Sequence, residues 1–282
     1  MSLPPVVETI AALRARIAQW RKAEGVTIGL VPTMGALHDG HLSLVRELKA
    51  RAGRVVVSVF VNPAQFAPHE DFDRYPRNME EDLAKLATAS ADLVFAPSVT
   101  EMYPHGFTTK IEVGGPSAGL ETDFRPHFFG GVATVVAKLL IAALPDIAIF
   151  GEKDYQQLLV VRRLTADLGL PIEIIGGEIV REPDGLAMSS RNAYLKPDER
   201  HIAGRLNVVL KEAAARVRAG ETIIAAEAAS RAALLDAGFH SVDYVAIRDA
   251  ETLAAIETLS RPARILAAAK IGMTRLIDNF AL

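Results

Sequence analysis

The chain has 282 residues, half of them hydrophobic and 23% charged, a globular composition that argues against intrinsic disorder. With 31 basic and 34 acidic side chains the net charge is −3, so no basic field favours binding to nucleic acid. The absence of cysteine excludes disulfides, thiolate nucleophiles and cysteine-ligated metals. The N-terminus lacks a secretory pattern, and Lys138, Pro145 and Asp146 interrupt the most apolar window, so we expect a soluble, cytoplasmic protein that does not span a membrane.

Apolar runs alternate with helical patterns over the first two thirds of the chain. The spacing predicts helices at 6–23, 42–51, 78–89, 132–143 and 155–168, and strands at 26–31, 54–61, 92–95, 147–150 and 172–175. Strand–helix alternation of this kind predicts an α/β fold, a Rossmann-like doubly wound parallel sheet with helices on both faces.

The pattern changes after Gly176–Gly177. Alanine-rich helical stretches are predicted at 196–219 and 222–237, and short strands at 242–247, 264–269 and 274–277. Helices followed by strands indicate a smaller C-terminal α+β domain. We therefore expect a first domain at 1–176 and a second at 177–282.

The most informative motif is VPTMGALHDGH at residues 31–41, which runs from the first strand into a helix. Ligands of open α/β sheets bind at the carboxyl ends of strands, and a helix N-terminus suits phosphate. Gly35 and Gly40 allow close approach of a polyphosphate, while His38 and His41 share one helical face and can donate hydrogen bonds to an α-phosphate. Alternatively, the histidines are polar turn residues, and the spacing alone also allows zinc.

Two further motifs follow predicted strands. VNPAQF at residues 61–66 places the neutral amides of Asn62 and Gln65 at a strand end, where they can orient hydroxyl or carboxylate groups or merely form a capped turn. GEKDYQQ at residues 151–157 offers Lys153 to a phosphate and Asp154 to a ribose hydroxyl. The competing interpretation makes Asp154 a helix cap and Lys153 a solvated charge.

The fourth motif, MSSRN at residues 188–192, follows the expected domain boundary. Two hydroxyls and a guanidinium in a row can clamp an oxyanion, although an isolated SSR triplet is also typical of a polar loop. Neither GxGxxG after a strand nor GxxxxGK[ST] occurs, which argues against a Rossmann dehydrogenase and a P-loop kinase.

Together these segments closely resemble the pantothenate synthetases, the pantoate–β-alanine ligase family of the nucleotidyltransferase superfamily. The resemblance runs from PTMGALHDGH through VNPAQF, GEKDYQQL and MSSRN to TRLIDN near the C-terminus. It implies that pantoate attacks the α-phosphate of ATP to give pantoyl adenylate and pyrophosphate, and that β-alanine then displaces AMP to give pantothenate. It also implies Mg²⁺ bound mainly to the nucleotide phosphates and a cytoplasmic homodimer.

The resemblance also assigns site residues. The catalytic residues would be His41, as proton donor, His38 and Lys153. Pantoate would be held by Gln65 and Gln157, with Asn62 and Tyr75 as further substrate-binding candidates. The ATP site would comprise Met34, Gly35, Ala36, Leu37, His38, Asp39, Gly40, His41, Gly151, Glu152, Lys153, Asp154, Val180, Met188, Ser189, Ser190 and Arg191.

One segment departs from the family pattern. Where the family commonly has RPGHF, this chain has Arg125-Pro126-His127-Phe128-Phe129, so we assign His127 no role. Two alternatives remain at this point: another nucleotidyltransferase, such as one that builds a dinucleotide, and a nucleotide-binding regulatory protein without catalysis. Convergence of His38, His41, Lys153 and Arg191 argues against the second, because passive binding does not require it.

Overall fold

The computed structural model describes residues 2–68 and 70–282. Its strands are β1 (Val6–Val7), β2 (Ile28–Thr33), β3 (Arg54–Val59), β4 (Leu93–Phe95), β5 (Ile147–Gly151), β6 (Glu173–Gly177), β7 (Ser241–Asp249), β8 (Ala263–Ile271) and β9 (Thr274–Ala281). Its helices are α1 (Ile10–Glu24), α2 (Asp39–Lys49), α3 (Met79–Thr88), α4 (Val99–Met102), α5 (Glu121–Phe124), α6 (Phe128–Ala143), α7 (Tyr155–Asp167), α8 (Pro197–Ala203), α9 (Arg205–Arg218) and α10 (Ile223–Asp236).

The first six strands form one parallel sheet in the order β1-β4-β3-β2-β5-β6. The chain builds outward from β2 through β3 to β4, then crosses back and places β5 on the other side of β2. This reversal of direction between β2 and β5 is the topological switch point of a doubly wound sheet. The predicted Rossmann-like fold is therefore confirmed.

Side chains of successive strand residues pack against opposite layers of helices. Leu30 and Val56 belong to a core that α1, α6 and α7 cover, whereas Val31, Val55 and Val57 pack against α2 and α3. A strand buried on both faces reads as a continuous apolar run, which is why RVVVSV is the clearest strand in the sequence.

The predicted helix at 6–23 is wrong at its start. Val6 and Val7 form an edge strand that pairs with Val94 and Phe95, and the helix begins only at Ile10. Thr9 caps it, its hydroxyl oxygen accepting a hydrogen bond from the Ala12 N–H at 3.1 Å. The apolar spacing continued across this cap and concealed it.

The C-terminal region contains a three-stranded antiparallel sheet, β7-β8-β9, packed against α8, α9 and α10 through its own apolar core. The predicted helix at 196–219 is two helices that meet at Gly204. A Cβ at Gly204 would lie 2.8 Å from a carboxylate oxygen of Asp184, so a larger side chain would clash there. The expected boundary at residue 176 falls within β6, which ends at Gly177.

Within residues 2–68 and 70–282, no helix is both long enough and apolar enough to cross a membrane.

Candidate active site

The pairing of β2 with β5 ends at Leu30 and Ala148 although both strands continue, so their carboxyl ends part and leave a crevice between them. Residues 34–41 leave β2 and enter α2, and residues 152–154 leave β5 and enter α7. Because β2 and β5 are neighbours in the sheet, these two motifs meet at the switch point, where open α/β sheets bind ligands.

A buried carboxylate holds the loop between β2 and α2. Asp82 on α3 is 3% exposed and accepts hydrogen bonds from the N–H groups of Ala36 at 3.0 Å and Leu37 at 2.7 Å. Burial raises the pKa of this carboxyl. In the sequence, the acidic run Glu80-Glu81-Asp82 is typical of a solvated helix start, which is why Asp82 is not among the predicted site residues. The loop needs the support, since Gly35 and Ala36 both have positive φ.

The two histidines fix one another at the start of α2. The His38 N–H donates to His41 Nδ1 at 3.4 Å, and the Gly40 N–H donates to His38 Nδ1 at 3.2 Å. Since both Nδ1 atoms accept, each neutral ring carries its proton on Nε2. A Cβ at residue 40 would lie 2.9 Å from His38 Cε1, so a larger residue there would displace that ring.

Both imidazoles are neutral near pH 7. Burial, aided by the positive charge of Lys153, lowers the pKa of His38 to about 4. Burial holds the pKa of His41 well below its usual value, and the neighbouring His38 and Lys153 lower it further. The structure thus brings Lys153 from the end of β5 to the two histidines at the end of β2.

The 180–191 segment covers the start of α2. Val180 and Met188 are joined by a backbone hydrogen bond of 3.0 Å, and the Ser190 hydroxyl donates to the Ala36 carbonyl at 3.0 Å. A cavity of about 280 Å³ lies here, lined in part by His38, Lys85 and Ser189. Lys85 was not predicted; its Nζ donates to the Leu37 carbonyl at 2.7 Å.

Arg191 forms a two-pronged ion pair with a carboxylate. Its Nε and Nη2 donate to Asp71 at 3.0 and 2.9 Å. Burial alone would raise the pKa of Asp71, but its hydrogen bonds and charge pairing with Arg191 lower it. Tyr75 is 6% exposed, with the Arg191 guanidinium 6.0 Å from its ring centre. Burial raises the pKa of Tyr75.

Asn62 and Gln65 form a buried pair after β3. The Asn62 amide nitrogen donates to Gln65 Oε1 at 3.1 Å and to the Gly131 carbonyl at 3.2 Å, while its oxygen accepts from the Tyr103 hydroxyl at 2.7 Å. Asn62 is thus a turn cap whose amide also orients Gln65. A Cβ at Gly131 would overlap the Ala64 carbonyl oxygen, so α6 can pack against this turn only through glycine.

The remaining predicted residues lie around the end of β5. Gly151, Glu152 and Asp154 are half-buried, and Gln157 is half-buried in the first turn of α7. Gln65 follows β3 and Gln157 follows β5, so the two amides lie on opposite sides of β2. Across the described part of the chain, no group of three or more His, Cys, Asp or Glu side chains could hold a metal ion.

Comparisons with known proteins agree with this architecture. A family model described as pantoate–β-alanine ligase matches residues 5–281. A pantothenate synthetase of Mesorhizobium japonicum is 58% identical over 279 residues, which cover 99% of this chain and 98% of the relative. One of Rhodopseudomonas palustris is 56% identical, with both chains fully covered.

Solved structures show the same similarity. The pantothenate synthetase of Thermus thermophilus superposes with a TM-score of 0.91 at 47% identity, and 98% of each chain is covered. The pantoate–β-alanine ligase of Francisella tularensis, complexed with β-γ ATP and β-alanine, has a TM-score of 0.82 at 32% identity, with 98% of this chain and 97% of that chain covered. The resemblance in the sequence motifs is confirmed, and the chain belongs to the pantoate–β-alanine ligase family.

Proposed function

We propose that this protein catalyses the ATP-dependent condensation of pantoate with β-alanine to pantothenate, AMP and pyrophosphate. Membership of the ligase family across residues 5–281 is the observation that carries the proposal. In the first step a pantoate carboxylate oxygen bonds to the α-phosphorus of ATP, and the bond to the β-phosphate oxygen breaks. In the second, the amine of β-alanine bonds to the acyl carbon and loses a proton, and AMP leaves.

ATP would lie in the crevice between the ends of β2 and β5. Residues 34–41 and 151–154 border it from the sheet, and Val180 with residues 188–191 covers it from the other side. Mg²⁺ would enter with ATP as part of the substrate, held mainly by phosphate oxygens and water, as this ion prefers.

The neutral histidines suit adenylation. Their Nε2 hydrogens can donate to the phosphate oxygens as negative charge builds up on the pentavalent phosphorus. Protonated imidazoles are not needed, because Lys153 supplies the positive charge nearby. The triphosphate would be contacted from the opposite side by Ser189, Ser190 and Arg191. Asp71 orients the Arg191 guanidinium.

Gln65 and Gln157 would hold pantoate between them. Neutral amides can orient its hydroxyl and carboxylate oxygens without neutralising the attacking oxygen. Asn62 would act through Gln65, whose amide it orients. Tyr75 would border the acid or amine subsite beneath Arg191.

Three broader features belong to the same proposal. Residues 1–176 and 177–282 would act as domains, the second closing over the nucleotide and excluding water from the adenylate. The protein would be a homodimer in the cytoplasm, as its sequence resemblance implies. Light scattering of the purified protein would determine its mass in solution.

One assay separates this function from its alternatives. Protein, MgATP, pantoate and β-alanine should yield AMP and pantothenate in equal amounts. Labelled pyrophosphate should exchange into ATP when pantoate is present and β-alanine is absent. Exchange that requires β-alanine would contradict the two-step scheme, and exchange with another carboxylic acid but not pantoate would indicate a different ligase.

A further inference from the structure

Two adjacent residues of β9 contact different parts of the proposed nucleotide site. Asp278 and Asn279 are each 2% exposed. Successive side chains of a strand point to opposite faces, so the two residues reach different neighbours. Both lie in the TRLIDN segment near the C-terminus, to which sequence analysis assigned no chemistry.

Asn279 holds the segment that leaves β5. Its amide nitrogen donates to the backbone carbonyls of Glu152 at 2.8 Å and Lys153 at 2.9 Å. Arg264 Nε donates to the Asn279 amide oxygen at 2.7 Å, which fixes the amide so that its nitrogen faces the loop. The Arg264 guanidinium also donates to the Glu152 carboxylate at 2.8 Å. The C-terminal sheet therefore sets the backbone from which Lys153 projects.

Asp278 holds the 180–188 hairpin. Its carboxylate accepts hydrogen bonds from two guanidinium nitrogens of Arg181, at 2.8 and 3.0 Å. Arg181 also donates to the Gly185 carbonyl at 2.9 Å and forms an isolated bridge with Ala187. This hairpin leads directly into Ser189–Arg191, so Asp278 sets the position from which those side chains project.

We propose that Asp278 and Asn279 are positioning residues that fix the spacing between the two nucleotide-binding segments. This inference rests on the proposed function, because it assumes that one triphosphate contacts both Lys153 and Ser189–Arg191. Two neighbours on a hydrogen-bonded strand cannot move apart, so the two segments take one set separation whenever the second domain lies against the first and both contacts are made. Misplacement by about 1 Å can cost about 10²-fold in rate, so a fixed spacing has chemical value.

Asn279→Asp tests the first contact with little change in shape. A carboxylate cannot donate to the two carbonyls, and its charge would repel them. We expect the dissociation constant of MgATP, measured by calorimetry without pantoate, to rise about tenfold. The KM for ATP should rise with it, whereas the KM for pantoate should stay close to the wild-type value.

Asp278→Asn provides a second variant that loosens the other segment, because the neutral amide loses the ion pair with Arg181. We expect weaker MgATP binding here too. Leu276→Val is the matched control: Leu276 is a buried core residue of the same strand, and its truncation should lower the melting temperature without changing MgATP affinity.

The outcomes are distinguishable. If the wild-type protein forms no pantothenate, the proposed function fails, whatever the variants do. If the wild type is active and both folded variants bind MgATP as tightly as it does, the positioning role is overturned. It is also overturned if Leu276→Val weakens MgATP binding as much as they do, since loss of stability would then explain the effect. If Asn279→Asp does not fold, Asp278→Asn alone decides between these outcomes.

Discussion

Two segments that border the proposed site are held in different ways. The 33–41 loop is fixed by hydrogen bonds from its own backbone to Asp82 and to neutral imidazoles. The 70–77 segment is fixed by ion pairs, Glu70 with Arg125 at 2.6 Å and Asp71 with Arg191 at 2.9 Å. The first arrangement presents N–H groups in set directions, whereas the second keeps charged groups beside the place where an anionic substrate would bind.

This difference has a functional meaning. A loop held by short backbone contacts keeps its geometry while charge develops on a phosphate, which is what preorganised stabilisation requires. A guanidinium paired with a carboxylate can instead share its donors with an incoming phosphate. We therefore expect changes in the 33–41 loop to reduce the rate of chemistry, and changes in the 70–77 segment to alter stability and its pH dependence.

The largest effect is expected for His41→Ala. Loss of one donor to the developing phosphorane charge should reduce the rate of pantoate-dependent pyrophosphate exchange about 10²–10³-fold. Calorimetry should show that MgATP binding is much less affected, because this donor acts mainly in the transition state. Full exchange activity in a folded His41→Ala protein would remove His41 from the mechanism.

Asp82→Asn should have the next largest effect. One of the two loop N–H groups would then face the amide N–H₂ group, and the other would keep only a neutral acceptor. Losing a hydrogen bond to a charged group costs about 1.5–3 kcal/mol. Both the exchange rate and the free energy of unfolding should fall. Glu81→Gln is the control on the same helix: its carboxylate pairs with Lys85 and its side chain is 56% exposed, so little should change. Equal effects of the two variants would contradict the bracing role of Asp82.

Gln65→Ala and Gln157→Ala should have smaller effects. Removing one neutral hydrogen bond costs about 0.5–1.5 kcal/mol, which corresponds to a rise of about 2- to 12-fold in the KM for pantoate. Calorimetry with MgATP should give wild-type affinity. If instead these variants bind MgATP weakly and pantoate normally, the acid subsite lies elsewhere.

The ion pairs of the 70–77 segment predict a modest pH effect on stability. Hydrogen bonds and charge pairing with Arg125 and Arg191 hold the pKa values of Glu70 and Asp71 below their usual range, although burial opposes this. A lowered carboxyl pKa in the folded state gives stability that is present above the unfolded pKa and is lost as pH falls through the folded pKa. The urea midpoint should therefore fall from about pH 5 downward.

The double variant Glu70→Gln, Asp71→Asn should show a shallower fall in the same titration. An unchanged slope would mean that other carboxylates account for acid sensitivity.

The last prediction concerns the pH dependence of the rate, where we expect no change near the usual imidazole pKa. His38, with a pKa of about 4, stays neutral across the neutral range. Pyrophosphate exchange should therefore show no break near about pH 6.5 that depends on His38. If the wild-type profile does show a break there, and the break is absent from His38→Gln, the prediction is wrong and the ring titrates normally.

The sequence predicts those parts of the molecule whose structure depends on the residue pattern within a single segment. The doubly wound sheet follows from alternating strands and helices, and β3 follows from its β-branched run. Asp82, Asp71 and Asn279 could not be placed in this way, because each acts on a loop that is distant in the chain. Asp82 in particular has the local pattern of a helix start, and only the packing of α3 against the 33–41 loop gives it a different role. The assignments of individual site residues remain predictions.

The pairing of β2 with β5 also bears on how the protein folds. Gly29 and Leu30 pair with Ile147 and Ala148, so the crevice depends on a contact between residues far apart in the chain. Contacts of long sequence separation form slowly, because closing the intervening loop costs entropy before any pairing energy is gained. A nascent chain that ends before β5 contains the 33–41 loop but not residues 152–154, which border the crevice on its other side. At the proposed site the nucleotide would therefore bind only after β2 and β5 have paired, and it would stabilise the completed fold rather than guide the early stages of folding.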